Sequence, residues 1–287
     1  MLVTGAAGFV GTHLRAELGE AHVPFEGDVL DAGALAAAMR ETRPEAVVHL
    51  AAESSVADSW ADPFRSWRVN VEGSVNVLEA VRAQRPQARV LLASTCEVYG
   101  NARRIPTPED EPVAPVSPYA ASKAAAELAC GAAGLDVVVA RTANTEGPGR
   151  DDRFAVGSWT RQVARLEADG NGTLLVGDLS AERDFVDVRD VCRAYRLLLQ
   201  PDVPAGTYNV CSGTIVPMAT VVELLVGLAR IPVRIERDAH RMRPADITRL
   251  GGDPARVRAA TSWRSAIPLE QTLADTLAAA REMEPVS

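Results

Sequence analysis

Three glycines close to the start of the chain constrain the fold more than any other feature. Residues 1–4 form a very short apolar run, Gly5, Gly8 and Gly11 follow at G-x-x-G-x-x-G spacing, and THLRAEL continues with a helical pattern. Glycines in such a turn let the backbone approach a pyrophosphate, and the free N–H groups at the start of the next helix favour an anion. The order strand, glycine turn, helix therefore predicts a nucleotide-binding α/β domain.

Buried-type strands alternate with helical segments through the first half of the chain, which is typical of a doubly wound parallel sheet. These strands are predicted at 46–50, 89–94 and 135–141. From about residue 148 the alternation loosens. We therefore expect an α/β protein with a Rossmann-type NAD(P)-binding domain over 1–147, to which segments near 184–212 return. Residues 148–287 are expected to form mainly a smaller, substrate-binding α/β lobe.

The sequence leaves few residues for the second strand of this sheet. Only LGEAHVPFEGDVLD separates the first helix from the next helical run, AGALAAAMRETRP, so we expect one strand to be lost or merged. Glu26 falls about 18 residues after Gly8, near the usual position of the acid that binds the cofactor ribose. Glu26 is also consistent with an ordinary residue of the merged strand that has no contact with the cofactor. The choice between NAD and NADP therefore stays open.

Three further segments have a less specific pattern. Residues 60–84 are predicted as one long helical stretch, in which Asn70 either orients a loop or is a plain helix residue; we favour a structural role. Residues 101–117 are predicted as a solvated loop rich in proline and acids. Residues 174–188 are predicted as a short strand followed by a loop.

Composition excludes several classes of function. The net charge is −8 with no Lys/Arg run, so no nucleic acid is expected as a partner. No apolar run is long enough to span a membrane, and the N-terminus lacks the basic region of a signal peptide. The four cysteines have no C-x-x-C spacing, which favours free thiols in a cytoplasmic protein. The four histidines have no metal-ligand spacing, so no metal site is expected.

Tyr119 and Lys123 lie four residues apart in an Ala-rich run that is predicted to be helical, with Ser117 as the N-cap and Pro118 in the first turn. Residues at i and i+4 share one helix face, so a phenol and an ammonium point to the same place. The ammonium is expected to lower the tyrosine pKa and so provide a proton donor or acceptor. Alone, this spacing is much more often that of a surface lysine beside a half-buried tyrosine.

Together the motifs resemble a known family. TGAAGFVG, HLAAESSV, STCEVYG, YAASK, RTANTEGPG and RDFVDVRD occur in the order seen in the extended short-chain dehydrogenase/reductases, the NAD-dependent epimerase/dehydratase family, and cover nearly the whole chain. Within that family, AAESSVADSWADP, YNVCSG and GDPARVRAATSWRSAIPLEQTL look most like the GDP-4-keto-6-deoxy-D-mannose reductases. The GDP-mannose 4,6-dehydratases are close relatives of these enzymes.

The resemblance implies a role for individual residues. The implied catalytic residues are Thr95, Tyr119, Lys123 and Glu97. The residues implied to bind the cofactor, NADPH or NADH, are Gly5, Gly8, Phe9, Val10, Gly11, Asp28, Leu50, Ala51, Ala52, Tyr119 and Lys123. The residues implied to bind a GDP-sugar are Ser54, Thr95, Glu97, Asn144, Arg161, Arg183, Arg243 and Asp246. A homodimer formed by the helices near 60–84 and 119–131 is the family expectation.

The triplet Thr95-Cys96-Glu97 bears on the reaction. A 4,6-dehydratase resembling this chain would need an acid for the C6 hydroxyl, and Cys96 is an unusual replacement at that position. The chain also lacks the insertions of the dehydratases, and its short second strand resembles reductases with a dissociable cofactor. We therefore expect reduction of the C4 ketone of a GDP-4-keto-6-deoxyhexose, giving GDP-D-rhamnose or its C4 epimer. The alternatives are a GDP-mannose 4,6-dehydratase or a 4-epimerase with tightly bound NAD(P), and a non-catalytic nucleotide sensor.

Overall fold

The computed structural model describes residues 1–241 and 247–283. The strands are β1 (Leu2–Thr4), β2 (Val23–Phe25), β3 (Ala46–His49), β4 (Arg89–Thr95), β5 (Val137–Thr142), β6 (Asn144–Glu146), β7 (Thr173–Val176), β8 (Glu182–Asp187), β9 (Gly206–Val210), β10 (Ile215–Pro217), β11 (Arg234–Arg237) and β12 (Arg249–Leu250). The α-helices are α1 (Phe9–Leu18), α2 (Ala32–Thr42), α3 (Val56–Ala61), α4 (Pro63–Trp67), α5 (Gly73–Gln84), α6 (Pro118–Ala132), α7 (Ala155–Asp169), α8 (Val188–Leu198), α9 (Met218–Gly227), α10 (Ala255–Thr261) and α11 (Leu269–Met283).

The main sheet has six strands in the order β2-β1-β3-β4-β5-β9, and every neighbouring pair is parallel. Its central strands are buried along their whole length, as β3 and β5 show, because helices cover both faces. This confirms the predicted Rossmann-type α/β fold. The strand order reverses beside β1, so the carboxyl ends of β1 and β3 border the crevice in which open sheets of this kind bind ligands.

The second strand is as short as the sequence predicted. Within residues 1–241, β2 is the one strand between α1 and α2, and it pairs with β1 alone. Pro24 stands in the middle of β2, which an edge strand tolerates because one side of its backbone needs no partner. One strand is therefore lost at this edge.

The later part of the chain builds two smaller sheets and a separate apolar core. β8 pairs with β6, β10 and β12, and β7 pairs with β11. Buried side chains of α7, α9 and α11 pack together in this second core. The prediction of a short strand followed by a loop over 174–188 was wrong in part, since β8 is a six-residue strand. β9 returns to the main sheet beside β5.

The long helix predicted over 60–84 is divided in the structure. α3 ends at Ala61, and α4 starts at Pro63, whose ring cannot donate a hydrogen bond to the preceding turn. The Asp62 carboxylate accepts from the Arg65 backbone N–H at 3.0 Å and so caps the second helix. A π-helical turn over Arg68–Glu72 then joins α4 to α5.

The acids of the loop 101–117 are not all solvated, contrary to the prediction. The Glu111 side chain is only 5% exposed and pairs with Arg104 at 2.8 Å. Glu109 is equally buried and accepts from the backbone N–H of Asn209 in β9 at 2.8 Å. The Glu109 contact fastens the loop to the sheet, whereas the Glu111 ion pair lies within the loop itself.

We expect Gly5→Ala to destabilise the protein. Gly5 has a φ of +68°, and a Cβ atom there would lie 2.6 Å from the Ala51 backbone nitrogen. The backbone conformation alone costs an L-residue about 1–2 kcal/mol, and the contact adds to this cost. Urea unfolding measures the loss in the free energy of unfolding.

Gly227→Ala is the matched control, because Gly227 ends α9 with open space around its Cα. This second substitution should stabilise by up to about 1 kcal/mol. Equal effects of the two substitutions would contradict the steric argument.

Candidate active site

A cleft of about 1320 Å³ opens along the carboxyl ends of the sheet strands. This volume exceeds the range of about 300–1,000 Å³ that is typical of small-molecule pockets. It is lined by most residues assigned from the sequence, namely Gly5, Gly8, Phe9, Val10, Gly11, Leu50, Ala51, Ala52, Ser54, Thr95, Glu97, Tyr119, Lys123, Asn144 and Arg183. The structure therefore brings together residues that are up to 178 positions apart in the chain, from Gly5 to Arg183.

Two of the assigned residues, Asp28 and Arg161, are not among the described residues that line the cleft. Asp28 lies on an exposed turn, where its carboxylate accepts from the backbone N–H of Leu30 at 2.9 Å. Arg161 forms an ion pair with Asp152 at 2.9 Å and is not among the described residues that line the cleft. Arg243 and Asp246 lie outside the described residues.

The glycine turn fits the pyrophosphate of a dinucleotide. α1 begins at Phe9 with Gly8 as its N-cap, and no side chain caps its first-turn N–H groups. A Cβ at Gly11 would lie 2.5 Å from the carbonyl oxygen of Gly5. The turn is thus packed as tightly as glycine allows and presents its backbone donors to the cleft. NADPH or NADH would be bound by this turn and by residues 50–52 after β3.

The start of α6 is formed as predicted. The Ser117 hydroxyl accepts from the backbone N–H of Ala120 at 3.1 Å, and Pro118 is the first helical residue. The backbone N–H of Tyr119 donates to the Ser59 hydroxyl of α3 at 3.1 Å. These contacts fix the position of the Tyr119 backbone at the wall of the cleft.

The expected lowering of the Tyr119 pKa was wrong for the protein alone. Loss of hydration around the phenol raises its pKa, and the negative charge of Glu97 raises it further. A hydrogen bond with the Thr95 side chain and the charge of Arg150 act in the opposite direction. The phenol therefore keeps its proton at neutral pH, as a proton donor must.

Lys123 is buried, with 4% of its surface exposed. Burial lowers the pKa of its ammonium to about 8, although the charge of Glu127 opposes the shift. Lys123 lines the same cleft as Tyr119. Both side chains predicted to share this helix face therefore line the cleft.

An ion-pair network fixes α6 to the sheet behind the cleft. The Arg141 guanidinium of β5 donates to Glu127 of α6 from Nη2 at 2.7 Å and from Nε at 3.1 Å. The Ser94 hydroxyl of β4 also donates to Glu127. Because both charged side chains are under 10% exposed, each depends on the other for stabilisation.

Two polar residues near the cleft have structural roles. His49 contacts the hydroxyls of Thr4 at 2.7 Å and Ser74 at 3.0 Å, and burial lowers its pKa to about 3, so it is a neutral strand residue. Asn70 accepts from the Glu53 backbone N–H at 2.8 Å and donates to the Glu53 carbonyl oxygen and the Ser122 hydroxyl. Asn70 therefore orients the loop after β3 and connects it to α6.

On the substrate side, Arg183 lines the cleft while its guanidinium donates to the carbonyl oxygens of Glu182 at 2.9 Å and Ile247 at 2.8 Å. Burial lowers its pKa, and the negative charge of Glu97 opposes that effect.

Sequence reasoning missed several residues that line the cleft. They include Arg150, Arg153, Phe154 and Arg241. The first three follow Gly147-Pro148-Gly149 at a strand end, a position that could have drawn attention to them.

No group of His, Cys, Asp or Glu side chains suited to a metal ion occurs among residues 1–241 and 247–283. In the same residues, no helix has the length and apolar character needed to cross a membrane.

Comparison with known proteins identifies the family. The family model described as GDP-mannose 4,6 dehydratase matches residues 17–276. The GDP-6-deoxy-D-mannose reductase of Pseudomonas aeruginosa is 38% identical, with 95% of this chain and 94% of the relative covered.

Solved structures agree with this result. The structure of RMD from Pseudomonas aeruginosa complexed with NADPH superposes with a TM-score of 0.90 at 36% identity, covering 99% of each chain. The UDP-glucose 4-epimerase of Thermus thermophilus in complex with NAD gives a TM-score of 0.85 at 30% identity, covering 98% of each chain. The resemblance found in the motifs is therefore confirmed, and the chain belongs to the GDP-mannose 4,6-dehydratase family of extended short-chain dehydrogenase/reductases.

Proposed function

We propose that this protein reduces the C4 ketone of a GDP-4-keto-6-deoxyhexose of the mannose series, with NADPH or NADH as the reductant. The product is GDP-D-rhamnose or its C4 epimer. The observation that carries the proposal is the Tyr119 phenol, hydrogen-bonded with Thr95 on the wall of a cleft that begins at the glycine turn. Similarity to a GDP-6-deoxy-D-mannose reductase supports the choice of substrate.

Each of the cleft residues has a separate role in the proposed reduction. Bound NADPH or NADH supplies a hydride for the ketone carbon. Tyr119 donates its phenolic proton to the developing alkoxide, and the Thr95 hydroxyl orients the same oxygen. Lys123 provides an ammonium in the cleft for the cofactor ribose. Asn144, Ser54 and Arg183 contact the sugar nucleotide, with the Arg183 guanidinium suited to its diphosphate.

The position of Cys96 favours reduction over dehydration. Its thiol is buried at 1% exposure and donates to the carbonyl oxygen of Arg141 at 3.4 Å. Burial also raises the pKa of this thiol well above its ordinary value. Cys96 therefore cannot protonate a C6 hydroxyl in the cleft, where Glu97 is the carboxylate of the triplet.

Product analysis tests this function. The protein is incubated with GDP-4-keto-6-deoxymannose and NADPH or NADH, and separately with GDP-mannose without added cofactor. We expect a GDP-6-deoxyhexose in the first reaction and unchanged GDP-mannose in the second.

We further expect Tyr119→Phe to reduce the rate by about 10²- to 10⁴-fold while NADPH still binds.

Tyr208→Phe is the control, because the Tyr208 hydroxyl donates to the carbonyl oxygen of Pro204 and lies outside the cleft-lining set. Near-normal turnover by Tyr119→Phe would contradict the assignment of Tyr119 as the proton donor. Conversion of GDP-mannose without added cofactor would instead identify a dehydratase or an epimerase.

The rate should depend on the protonation of Lys123. Because burial lowers the pKa of Lys123 to about 8, its ammonium is present below that pH and is lost as the pH rises through it. We expect kcat/KM to decrease over this interval, since a cation and its N–H donors leave the cleft. Lys123→Arg, which stays charged up to a pH of about 12, should move the decrease upward. A flat profile between about pH 7 and 9 would contradict this role.

We also propose that the protein is a cytoplasmic homodimer. In each subunit, residues 1–147 with the returning β9 form the NAD(P)-binding domain, and residues 148–287 mainly form the substrate lobe. α3 and α4 pack beside α6, and all three expose large apolar side chains. Trp60 is 58% exposed, Phe64 83% and Leu128 76%. Two such helix faces would cover each other in a symmetric bundle. The four cysteines are free and buried, which suits a reducing compartment.

The double substitution Phe64→Asp and Leu128→Asp should convert the dimer to a monomer, because it places like charges in an apolar interface. Light scattering coupled to size-exclusion chromatography gives the mass. Ile235→Asp is the control, as Ile235 is 45% exposed on β11, which lies apart from these helices. An unchanged mass of the double variant would exclude this surface as the interface.

A further inference from the structure

Arg150 occupies the loop between β6 and α7, directly over the start of α1. The loop turns through Gly147 and Gly149, both at positive φ, and the Arg150 backbone N–H donates to the Gly147 carbonyl oxygen at 3.1 Å. A ring nitrogen of His13 in α1 lies 2.8 Å from the carbonyl oxygen of Pro148. The loop is therefore fixed to the helix that follows the glycine turn.

The guanidinium of Arg150 lies close to two aromatic rings. Its Cζ atom lies 3.6 Å from the centre of the Phe154 ring and 5.0 Å from the centre of the Phe9 ring. Glu146 stands behind it, with 3.4 Å between Arg150 Nε and Glu146 Oε2. The Arg150 side chain is 14% exposed and the Glu146 side chain 4% exposed. Stacking and charge thus hold the guanidinium in one orientation.

The guanidinium nevertheless has unused hydrogen-bonding capacity. A guanidinium has five N–H donors, yet that of Arg150 donates no hydrogen bond to any residue within 1–241 or 247–283. Both Arg150 Nε and Glu146 Oε2 are buried without a hydrogen-bond partner among these residues. Burial raises the pKa of Glu146 to about 7, against the effect of Arg150, so its negative charge is incomplete at neutral pH. A cation that is rigid, half-buried and only partly neutralised is suited to an anion in the cleft that it lines.

We propose that Arg150 binds the pyrophosphate of the dinucleotide cofactor and completes the site that the glycine turn begins. Phe9, on which the guanidinium stacks, is the first residue of α1 and adjoins the N-cap Gly8. The backbone N–H groups of the turn and the Arg150 fork thus contact one diphosphate from two elements. The inference rests on the proposed use of NADPH or NADH.

The sugar nucleotide carries a diphosphate of the same chemistry, so the experiment measures both ligands. Arg150→Met is titrated with NADPH, by the fluorescence of the nicotinamide, and with GDP, by calorimetry. We expect the Kd for NADPH to rise about ten- to hundred-fold, the usual range for a charge-assisted hydrogen bond, and the Kd for GDP to stay unchanged. An unchanged Kd for NADPH, or a Kd for GDP that rises equally, overturns the assignment.

Arg153→Met is the matched control from the same loop. Arg153 lies 6.0 Å from the centre of the Phe154 ring, but it is 51% exposed and already pairs with Asp151 at 3.1 Å, so NADPH affinity should not change. An equal loss in this variant also overturns the assignment.

Thermal melting checks that the variants fold. If Arg150→Met lowers Tm, Arg150→Lys replaces it, because lysine keeps the charge and loses the planar fork. A selective loss of NADPH affinity in that variant supports the proposal, and an unselective loss contradicts it. Both readouts are binding constants and do not depend on turnover. Absence of ketoreductase activity in the wild-type protein would therefore refute the proposed function without deciding whether Arg150 binds the cofactor.

Discussion

The buried ion pair between Arg141 and Glu127 is the interaction on which the site geometry depends. Tyr119, Lys123 and Glu127 follow at intervals of four residues in α6, so the helix face that carries the proton donor ends in this carboxylate. The Arg141 guanidinium also stacks over the Tyr99 ring, 4.7 Å from its centre. A buried pair of this kind tolerates little displacement of either partner, because an unpaired charge in the interior is strongly destabilising.

Local signals predicted the main elements of the fold. The glycine turn, the buried strands and the entry to α6 each depend on residues close together in the chain, and all three are present in the structure. Pro63 is likewise a local signal, for the break between α3 and α4. The burial of Glu109 was not predictable in this way, because its partner Asn209 lies 100 residues further along the chain.

The cleft followed from a simple rule, since carboxyl ends of parallel strands meet at one edge of the sheet. Thr95 and Asn144, at and after strand ends, lie at this edge, and the family resemblance implied their roles. The directions of Arg150 and Arg161 could not be predicted, because the direction of a long side chain depends on its surroundings. Arg161 pairs with Asp152, whereas Arg150 lines the cleft. The pKa of Tyr119 was misjudged because spacing along a helix reveals neither hydration nor the approach of Glu97.

The Asn70 side chain has a thermodynamic consequence for ligand binding. It satisfies both backbone groups of Glu53 and one hydroxyl of α6, from a π-helical turn that is itself fixed between α4 and α5. The loop after β3 therefore loses its conformational freedom when the chain folds. A ligand that enters this part of the cleft meets an ordered wall, so its affinity is not reduced by the entropy of ordering that wall.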